Sequence, residues 1–392
     1  MQDFTVEEQA VELFDDVFGD YGQRSLGWSP GRINLIGEYT DLNNGLVLPM
    51  TINLGTASVV RRRDDSKVRA YSTLYGEIDE VELNGVEVGS LKQWLKYVVG
   101  VSAVLNDSAS LGSGFDILVH SNMPKTGGVS SSAALTTSIA LALQNTFGLS
   151  HEPLQIARLC QRVEHEFLGV MCGLMDQMVC GMGQRDHAMY IDFDSHEAEQ
   201  VKAPKLLSVL VVDSGVSRSL HTTEYNKRSV ECGMAVDELQ GLGCEIQTLR
   251  ELDASTLEER KPDLTPKLYA RARHVVTEND RVISAKRALT ESNLAVLGSL
   301  MFESHHSLKT DFEVSVSELD VIVETAHTTP GVYGARLTGA GFGGNAIILC
   351  NEADQASVES QIKDEFSRAF GRIPETYTVR PDAPAHALAI ER

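Results

Sequence analysis

Residues 124–135 read PKTGGVSSSAAL and lead into a helical pattern that extends to Phe147. The two adjacent glycines allow the backbone to approach a ligand closely, and three serines stand where the helix begins. A helix N-terminus offers unpaired N–H groups and the positive end of a dipole, and serine hydroxyls add hydrogen bonds or a ligand for Mg²⁺. The segment therefore predicts an anion-binding loop of neither the GxxxxGK[ST] nor the GxGxxG type. The alternative is that the serines only cap a helix after a glycine turn.

A second polar segment, residues 29–45, reads SPGRINLIGEYTDLNNG. It places Arg32, Glu38 and Asp41 among Gly, Asn and Pro residues, with apolar residues on both sides. Carboxylates accept hydrogen bonds from sugar hydroxyls and arginine donates them, so the segment is typical of a polyol-binding loop. A solvated turn with ordinary surface charges is the alternative.

Two acidic residues occur in apolar surroundings. Residues 153–169 predict a helix, because Pro stands in the first turn, apolar residues recur at helical spacing and Gly follows the last turn. Glu164 lies at the edge of the apolar stripe of that helix, and Asp176 lies within CGLMDQM, residues 172–178. Acids in such settings are candidates for catalysis or ligand binding. For either acid alone, a buried carboxylate that caps a helix or pairs with Arg is the alternative.

The remaining patterns predict a mixture of helices and strands. Strand-like runs occupy residues 46–52, 56–60 and 115–119, and helical patterns occupy residues 91–105 and 132–147. The apolar run at residues 206–213 is typical of a buried strand and predicts the start of a second domain. The later part is rich in helical patterns up to residues 334–349, where the glycines of TGAGFGG favour a tight hairpin between two strands.

Length and charge limit the classes of function. At roughly 150 residues per domain, 392 residues predict two or three domains, and a hydrophobic content of 42% is ordinary for a soluble globular protein. The formal net charge of −21 repels phosphate backbones and anionic lipids, so we expect neither nucleic acid nor a membrane as a partner. The acidic N-terminus has no export signal and the six cysteines form no CxxC pair, so we expect a cytoplasmic protein with reduced thiols.

Four segments together resemble the galactokinase family of the GHMP small-molecule kinases. They are GRINLIGEYTDLNNG, PKTGGVSSSAAL, CGLMDQ and LTGAGFGGNA, in this order, and the similarity continues through VVDSGVSRSLHTTEYNKR, RARHVVTEND and SHHSLKTDFEVSVSELD. The resemblance covers nearly the whole chain and implies an α/β (α+β) protein with the two-domain GHMP kinase fold. The ribosomal-protein-like N-terminal domain would span residues 1–200 and the ferredoxin-like C-terminal domain residues 201–392, with the active site between them.

The resemblance also implies the reaction and its residues. The γ-phosphate of ATP would be transferred to the C1 hydroxyl of galactose, with Mg²⁺ as cofactor and no obligate protein partner. Asp176 would act as base at the anomeric hydroxyl, and Arg32 would orient it and stabilise the transferred charge. Ser132 and Glu164 would hold Mg²⁺. The phosphate-binding residues would be Thr126, Gly127, Gly128, Val129, Ser130, Ser131 and Ser132. The sugar-binding residues would be Glu38, Tyr39, Thr40, Asp41, Gly173 and Tyr225.

Departures from the family pattern leave alternatives open. The family usually reads GEHTDY where this chain reads GEYTDL, so Tyr39 and Leu42 stand beside the expected sugar pocket. One alternative is therefore a kinase for a related sugar, such as N-acetylgalactosamine or a uronic acid. Another is a non-catalytic sensor of galactose, against which the intact SSSAA run, Glu164 and Asp176 argue.

Overall fold

The computed structural model describes residues 4–83, 86–108, 111–124, 128–204, 208–216 and 221–390. The first half of the chain mixes strands and helices, as its sequence patterns predict. In chain order its elements are α1 (Val6–Phe18), β1 (Arg24–Asn34), β2 (Leu46–Val47), β3 (Pro49–Arg62), β4 (Lys67–Ser72), β5 (Ile78–Glu82), α2 (Gln93–Ser108), β6 (Phe115–Ser121), α3 (Ser131–Phe147), α4 (Pro153–Leu168), α5 (Met175–Met182), β7 (His187–Asp192) and β8 (Glu197–Lys202).

The second half begins with a fully buried strand and is then mostly helical. The predicted strand at residues 206–213 is confirmed from residue 208 onward, and residues 206 and 207 lie outside the described residues. In chain order the elements are β9 (Ser208–Asp213), α6 (His221–Gly241), α7 (Ala254–Arg260), α8 (Pro266–Thr290), α9 (Leu294–Thr310), α10 (Ser317–Thr328), β10 (Val332–Thr338), β11 (Asn345–Cys350), α11 (Gln355–Phe370), β12 (Thr376–Val379) and β13 (His386–Ile390).

The main sheet of the first half has six strands in the order β13-β1-β3-β6-β4-β5. Helix α3 lies close against β1, and glycines make this approach possible. A Cβ at Gly27 would lie 2.1 Å from the carbonyl oxygen of Ser138, and a Cβ at Gly31 would lie 2.6 Å from that of Val129. Because Gly31 is near the end of β1 and Val129 just precedes α3, the start of the helix lies beside the end of the strand. This packing joins the two polar segments that the sequence singled out.

The sheet of the second half has four antiparallel strands in the order β12-β9-β11-β10. Helices separate β9 from β10 and β11 from β12, while β10 and β11 form a hairpin. This βαββαβ connectivity and strand order are those of a ferredoxin-like domain. The expected C-terminal fold is therefore confirmed, as is the hairpin at TGAGFGG.

The last strand, β13, returns to the sheet of the first half. It pairs antiparallel with β1, from Arg24 opposite Ile390 to Trp28 opposite His386. The edge of β1 that does not face β3 thus gains a partner, which leaves fewer unpaired backbone groups at that edge. Residues 386–390 therefore belong structurally with the first half, although the predicted division assigns residues 201–392 to one C-terminal domain.

Most of the predicted elements are confirmed with shifted ends. The predicted helix at residues 153–169 is α4, with Gly169 as its left-handed cap, and the predicted helix at residues 91–105 is α2. The strand predicted at residues 46–52 is divided, because Leu48 bonds to the backbone of Leu35 and Ile36 while β2 pairs with β7 in a separate three-stranded sheet. Among the described residues, no helix is both long and apolar enough to cross a membrane.

Candidate active site

A cavity of about 820 Å³ opens between the two halves. Its walls come from the end of β1 and the loop after it, the first turn of α3, the segment before α5, and the loop after β10. The predicted site residues that line it are Arg32, Glu38, Tyr39, Asp41, Gly128, Ser130, Ser131, Ser132, Glu164, Gly173, Asp176 and Tyr225. Thr40 and Val129 are fully buried and do not line it, and Thr126 and Gly127 lie outside the described residues.

The serine run, residues 130–132, stands at the start of α3. Ser130 has a left-handed backbone, with φ of 60°, and its side chain makes no capping hydrogen bond. Within the described part of the chain, the hydroxyls of Ser130 and Ser131 are buried and have no hydrogen-bond partner. The first N–H groups of a helix are also left without helical partners. The alternative in which the serines only cap the helix is thus not what this geometry favours, and the loop can accept an anionic oxygen.

Glu164 projects from α4 toward Ser132 and is 3% exposed. Desolvation by burial raises the pKa of Glu164 to about 7, against a hydrogen bond from Ser132 that lowers it. Its Oε1 has no hydrogen-bond partner among the described residues. A carboxylate and a hydroxyl are hard oxygen ligands that suit Mg²⁺, which proteins commonly bind through one or two carboxylates together with substrate phosphates. The pair therefore fits a magnesium ion held jointly with a nucleotide.

Arg32 connects Asp176 to the loop that precedes α3. Its Nε and Nη2 lie 2.9 and 2.6 Å from Oδ1 of Asp176, and its Nη1 donates to the carbonyl of Gly128 at 3.1 Å. The backbone N–H of Arg32 donates to the carbonyl of Val129 at 3.0 Å. Burial lowers the pKa of Arg32, but the charges of Asp176 and Glu38 outweigh it and the net shift is upward. A fixed positive charge thus stands between the carboxylate and the loop.

Glu38 is held by groups from both halves. Its Oε2 accepts from Asn34 Nδ2 at 3.0 Å, and its Oε1 accepts from the backbone N–H of Gly339 at 2.7 Å. Arg336, which is completely buried in β10, lies 3.4 Å from the same Oε1. The carboxylate therefore has a fixed position in the cavity wall.

Asp41 lies among other acids in the cavity. Desolvation, together with the negative charges of Asp176 and Glu38, raises the pKa of Asp41 to about 7. A Cβ at Gly173 would lie 1.8 Å from Oδ2 of Asp41, so only glycine leaves the carboxylate in place. Burial also raises the pKa of the nearby Tyr225 well above its ordinary value, which keeps the phenol protonated as a donor.

Tyr39 is turned toward the second half of the protein. Its φ of 67° is left-handed, and its hydroxyl donates to the carbonyl of Ala340 at 2.6 Å. The ring lies 4.6 Å from that of Phe312 and 5.3 Å from that of Tyr225, measured between centroids. Leu42, the second departure from the family pattern, packs against the apolar core of the second half. Tyr39 thus forms part of the cavity wall, while Leu42 contributes to the core of the second half.

Two predicted ligands form backbone contacts instead of lining the cavity. The Thr40 hydroxyl lies 2.9 Å from the carbonyl oxygen of Gly37 and 2.6 Å from that of Leu46. It closes the loop that carries Glu38. Val129 contributes its carbonyl, which accepts from Arg32.

Other residues of the cavity escaped the sequence analysis. The loop after β10 contributes Gly339 and Ala340 to the cavity, which the hairpin pattern of its glycines does not predict. No local pattern in the sequence predicts a role for Arg336 in the site, because it lies within a strand. Tyr75 and Trp94 also line the cavity and stack with ring centroids 5.9 Å apart. Nothing local predicts that pair, since the rings come from a turn and a helix brought together by the fold.

Comparison with protein families covers both halves of the chain. A galactokinase galactose-binding signature matches residues 12–62. The model of the GHMP kinases N terminal domain matches residues 96–184, and that of the GHMP kinases C terminal domain matches residues 285–368. The first match includes the polar loop after β1, and the second includes the serine run, Glu164 and Asp176.

Full-length relatives and solved structures agree with these matches. Galactokinases of Enterococcus faecalis and Streptococcus suis are each 38% identical to this chain, over 98% and 94% of it and over 100% and 96% of their own lengths. The crystal structure of Lactococcus lactis galactokinase complexed with galactose has a TM-score of 0.91 at 34% identity and covers 96% of this chain and 98% of that one. Mevalonate kinase of Methanococcus jannaschii has a TM-score of 0.67 at 19% identity, covers 93% of this chain and 100% of that one, and is similar in fold alone.

Proposed function

The chain belongs to the galactokinase family of the GHMP kinases and is an ATP-dependent galactose kinase, and from this premise we propose that it phosphorylates the C1 hydroxyl. One observation carries the proposal. Arg32 contacts both the carboxylate of Asp176 and the carbonyl of Gly128, so a single side chain spans the sugar part and the phosphate part of the cavity. An acceptor hydroxyl held by Asp176 then faces a phosphate bound at the serine run.

The nucleotide phosphates bind at the start of α3 in this proposal. Ser130 and Ser131 offer free hydroxyls, and the helix start offers N–H groups and a favourable dipole. Thr126 and Gly127 are assigned to the same loop by prediction alone. Ser132 and Glu164 would hold Mg²⁺, which when bound would supply positive charge beside the nucleotide phosphates. The support for the metal is the fit of a buried carboxylate whose Oε1 has no partner in the described chain.

Asp176 and Arg32 act at the transfer step. Phosphoryl transfer passes through a loose transition state in which charge is spread over the oxygens of the transferred group, so positioning and electrostatic stabilisation supply most of the catalysis. Both contacts of the guanidinium end on Oδ1 of Asp176. We assign the other oxygen, Oδ2, to the C1 hydroxyl, which it orients and whose proton it accepts. Arg32 then stabilises charge on the transferred group.

The sugar is recognised on the opposite wall. Glu38 and Asp41 accept hydrogen bonds from sugar hydroxyls, and Gly173 provides the space beside Asp41. Tyr225 donates from its phenol. Tyr39 acts indirectly, because its hydroxyl is bound to the carbonyl of Ala340.

A panel of sugars tests the proposal. ATP, Mg²⁺ and the purified protein are incubated with galactose, glucose, N-acetylgalactosamine and galacturonic acid, and the position of the new phosphate is identified by phosphorus NMR. We expect phosphate on C1 of galactose, with much slower turnover of the other sugars. Phosphate on C6, or a higher kcat/KM for N-acetylgalactosamine or galacturonic acid, would contradict the proposed acceptor.

We further assign the protein to the cytoplasm. All six cysteines are free thiols, and four of them are buried. Reduced thiols and the use of ATP both suit that compartment.

A further inference from the structure

The segment RARHVVTEND, residues 271–280 of α8, has no role in the function proposed above. Four of its polar residues are nevertheless buried, and three of these have side chains that end on the backbone of residues 37–46, which we call the sugar loop. This loop carries Glu38 and Asp41 into the cavity. It is closed at its base by Thr40, whose hydroxyl lies between the carbonyls of Gly37 and Leu46.

Two of the three side chains hold the base of the sugar loop. Oε1 of Glu278 accepts from the backbone N–H of Gly37 at 2.9 Å, and Oδ1 of Asn279 accepts from the backbone N–H of Leu46 at 2.8 Å. A Cβ at Gly45 would lie only 2.6 Å from Oδ1 of Asn279, so the loop and the helix are in direct contact. The two ends of the loop are thus fixed by adjacent residues of one helix.

The third side chain, His274, holds the loop at Glu38. Its Nε2 lies 3.1 Å from the carbonyl oxygen of Glu38, and its Nδ1 lies 2.9 Å from Oγ of Ser307. A carbonyl can only accept, so Nε2 carries a proton. Burial lowers the pKa of His274 to about 4, so the ring is neutral at pH 7 and its one N–H is the one at Nε2.

Both carboxylate oxygens of Glu278 accept hydrogen bonds. It is completely buried and also accepts from the Ser304 hydroxyl and from Nε of Arg281, each at 2.6 Å. Its position is therefore set by α8 and α9, and the sugar loop conforms to it. None of the three helix residues lines the cavity.

We propose that α8 positions the galactose site: His274, Glu278 and Asn279 hold the sugar loop so that Glu38 and Asp41 keep the spacing that the sugar requires. The inference rests on the proposed function, since it assumes that these carboxylates bind galactose. The three residues are positioning residues and contact no substrate. Loss of one contact leaves a buried N–H or carbonyl unpaired and loosens the sugar loop, so sugar affinity falls, while the serine run on α3, a different element of the cavity wall, is unchanged.

Kinetics of α8 variants test this role. We expect Asn279→Ala to raise the KM for galactose at least about fivefold, because the N–H of Leu46 loses its buried acceptor. The KM for ATP should stay within about twofold of the wild-type value, since the substitution removes no contact from the residues proposed to bind ATP. Val276→Ala is the matched control, because Val276 is equally buried on the same helix and packs in the apolar core without a bond to the loop.

A second pair of variants keeps the test valid if Asn279→Ala does not fold. His274→Ala should weaken galactose binding in the same way, and His274→Gln should restore it, because the amide can still donate to the carbonyl of Glu38. Parallel changes in the KM values for galactose and ATP, or the same split in Val276→Ala, would overturn the positioning role. If the wild-type protein fails to phosphorylate galactose, the proposed function is wrong; if it is active and the split is absent, only the role of α8 is wrong.

Discussion

Two nitrogens of Arg32 donate to one oxygen of Asp176, with Nε at 2.9 Å and Nη2 at 2.6 Å from Oδ1. The same guanidinium reaches the carbonyl of Gly128 at 3.1 Å. A planar group with donors in a fixed fork is suited to holding a carboxylate and an adjacent loop at once, which a lysine ammonium is not. In the proposed site, this contact between β1 and the start of α5 would set where the acceptor hydroxyl lies relative to the nucleotide phosphates.

Glu164→Gln should shift the dependence on Mg²⁺ to higher concentration. The substitution keeps the shape of the side chain but removes a negative charge from the proposed metal site, so the ion is held less tightly. Activity is titrated with Mg²⁺ at saturating galactose, and the KM for galactose should change little. Glu166→Gln serves as control, because Glu166 lies on the same helix but is exposed and paired with Arg162. An unchanged Mg²⁺ titration in Glu164→Gln would make Glu164 a structural acid.

Gly173→Ala should damage sugar binding selectively. The added methyl would lie 1.8 Å from Oδ2 of Asp41, a distance that forces either the carboxylate or the backbone to move. We expect the KM for galactose to rise at least roughly tenfold with little change for ATP, as is typical when a 1–3 kcal/mol binding contribution is lost. Gly181→Ala on α5 is the control, since the nearest atom to its added Cβ is 3.9 Å away. Equal kinetics for the two variants would mean that Asp41 is not a sugar ligand.

Asp41 should make the ligand-free protein less stable as pH rises. Its pKa in the folded protein is raised to about 7 from an ordinary value near 3.8, so between these values the folded state binds a proton that the unfolded state has released. Stability from this group is complete below about pH 4 and is lost as pH rises through about 7. In urea unfolding, Asp41→Asn should therefore gain stability relative to wild type between about pH 5 and about pH 8. A stability difference that is the same at both pH values would contradict the raised pKa.

Tyr39 should influence the choice of sugar and leave ATP unaffected. Tyr39→His removes the bond to the carbonyl of Ala340, a residue of the cavity wall, and changes the packing against Phe312. Because a misplaced polar group commonly costs on the order of 1–3 kcal/mol, the ratio of kcat/KM values between galactose and its C2-, C4- and C6-modified analogues should change by roughly tenfold to a hundredfold. If the ratios of kcat/KM between the sugars stay constant and the KM for ATP changes, the loop binds ATP and not the sugar.

The sequence predicted those parts of the fold that are marked locally. Helix α4 has Pro in its first turn and Gly169 after its last turn, and it was found where predicted. The serine run, Glu164 and Asp176 could be singled out because each has a local pattern with a chemical meaning. The pairing of β13 with β1 has no such mark, since it joins Trp28 to His386 across most of the chain.

The roles within the sugar loop could not be predicted from residue order. The resemblance to the galactokinase family implies that Glu38, Tyr39, Thr40 and Asp41 all bind the sugar. The left-handed backbone at Tyr39 instead directs its hydroxyl to Ala340, and Thr40 is used to close the loop. Backbone conformation, which residue order alone does not reveal, decides where each of these side chains points.

The transfer step is tested most directly by Asp176→Asn. The amide oxygen can still accept from Arg32, so the site keeps its shape, but the side chain no longer accepts the proton of the C1 hydroxyl. We expect kcat to fall by about a hundredfold or more, the range typical of losing a general base, while calorimetric titration shows that ATP and galactose still bind. A variant that retains close to wild-type kcat would contradict the role of Asp176, and with it the arrangement in which Arg32 and Asp176 align the acceptor hydroxyl with the phosphate.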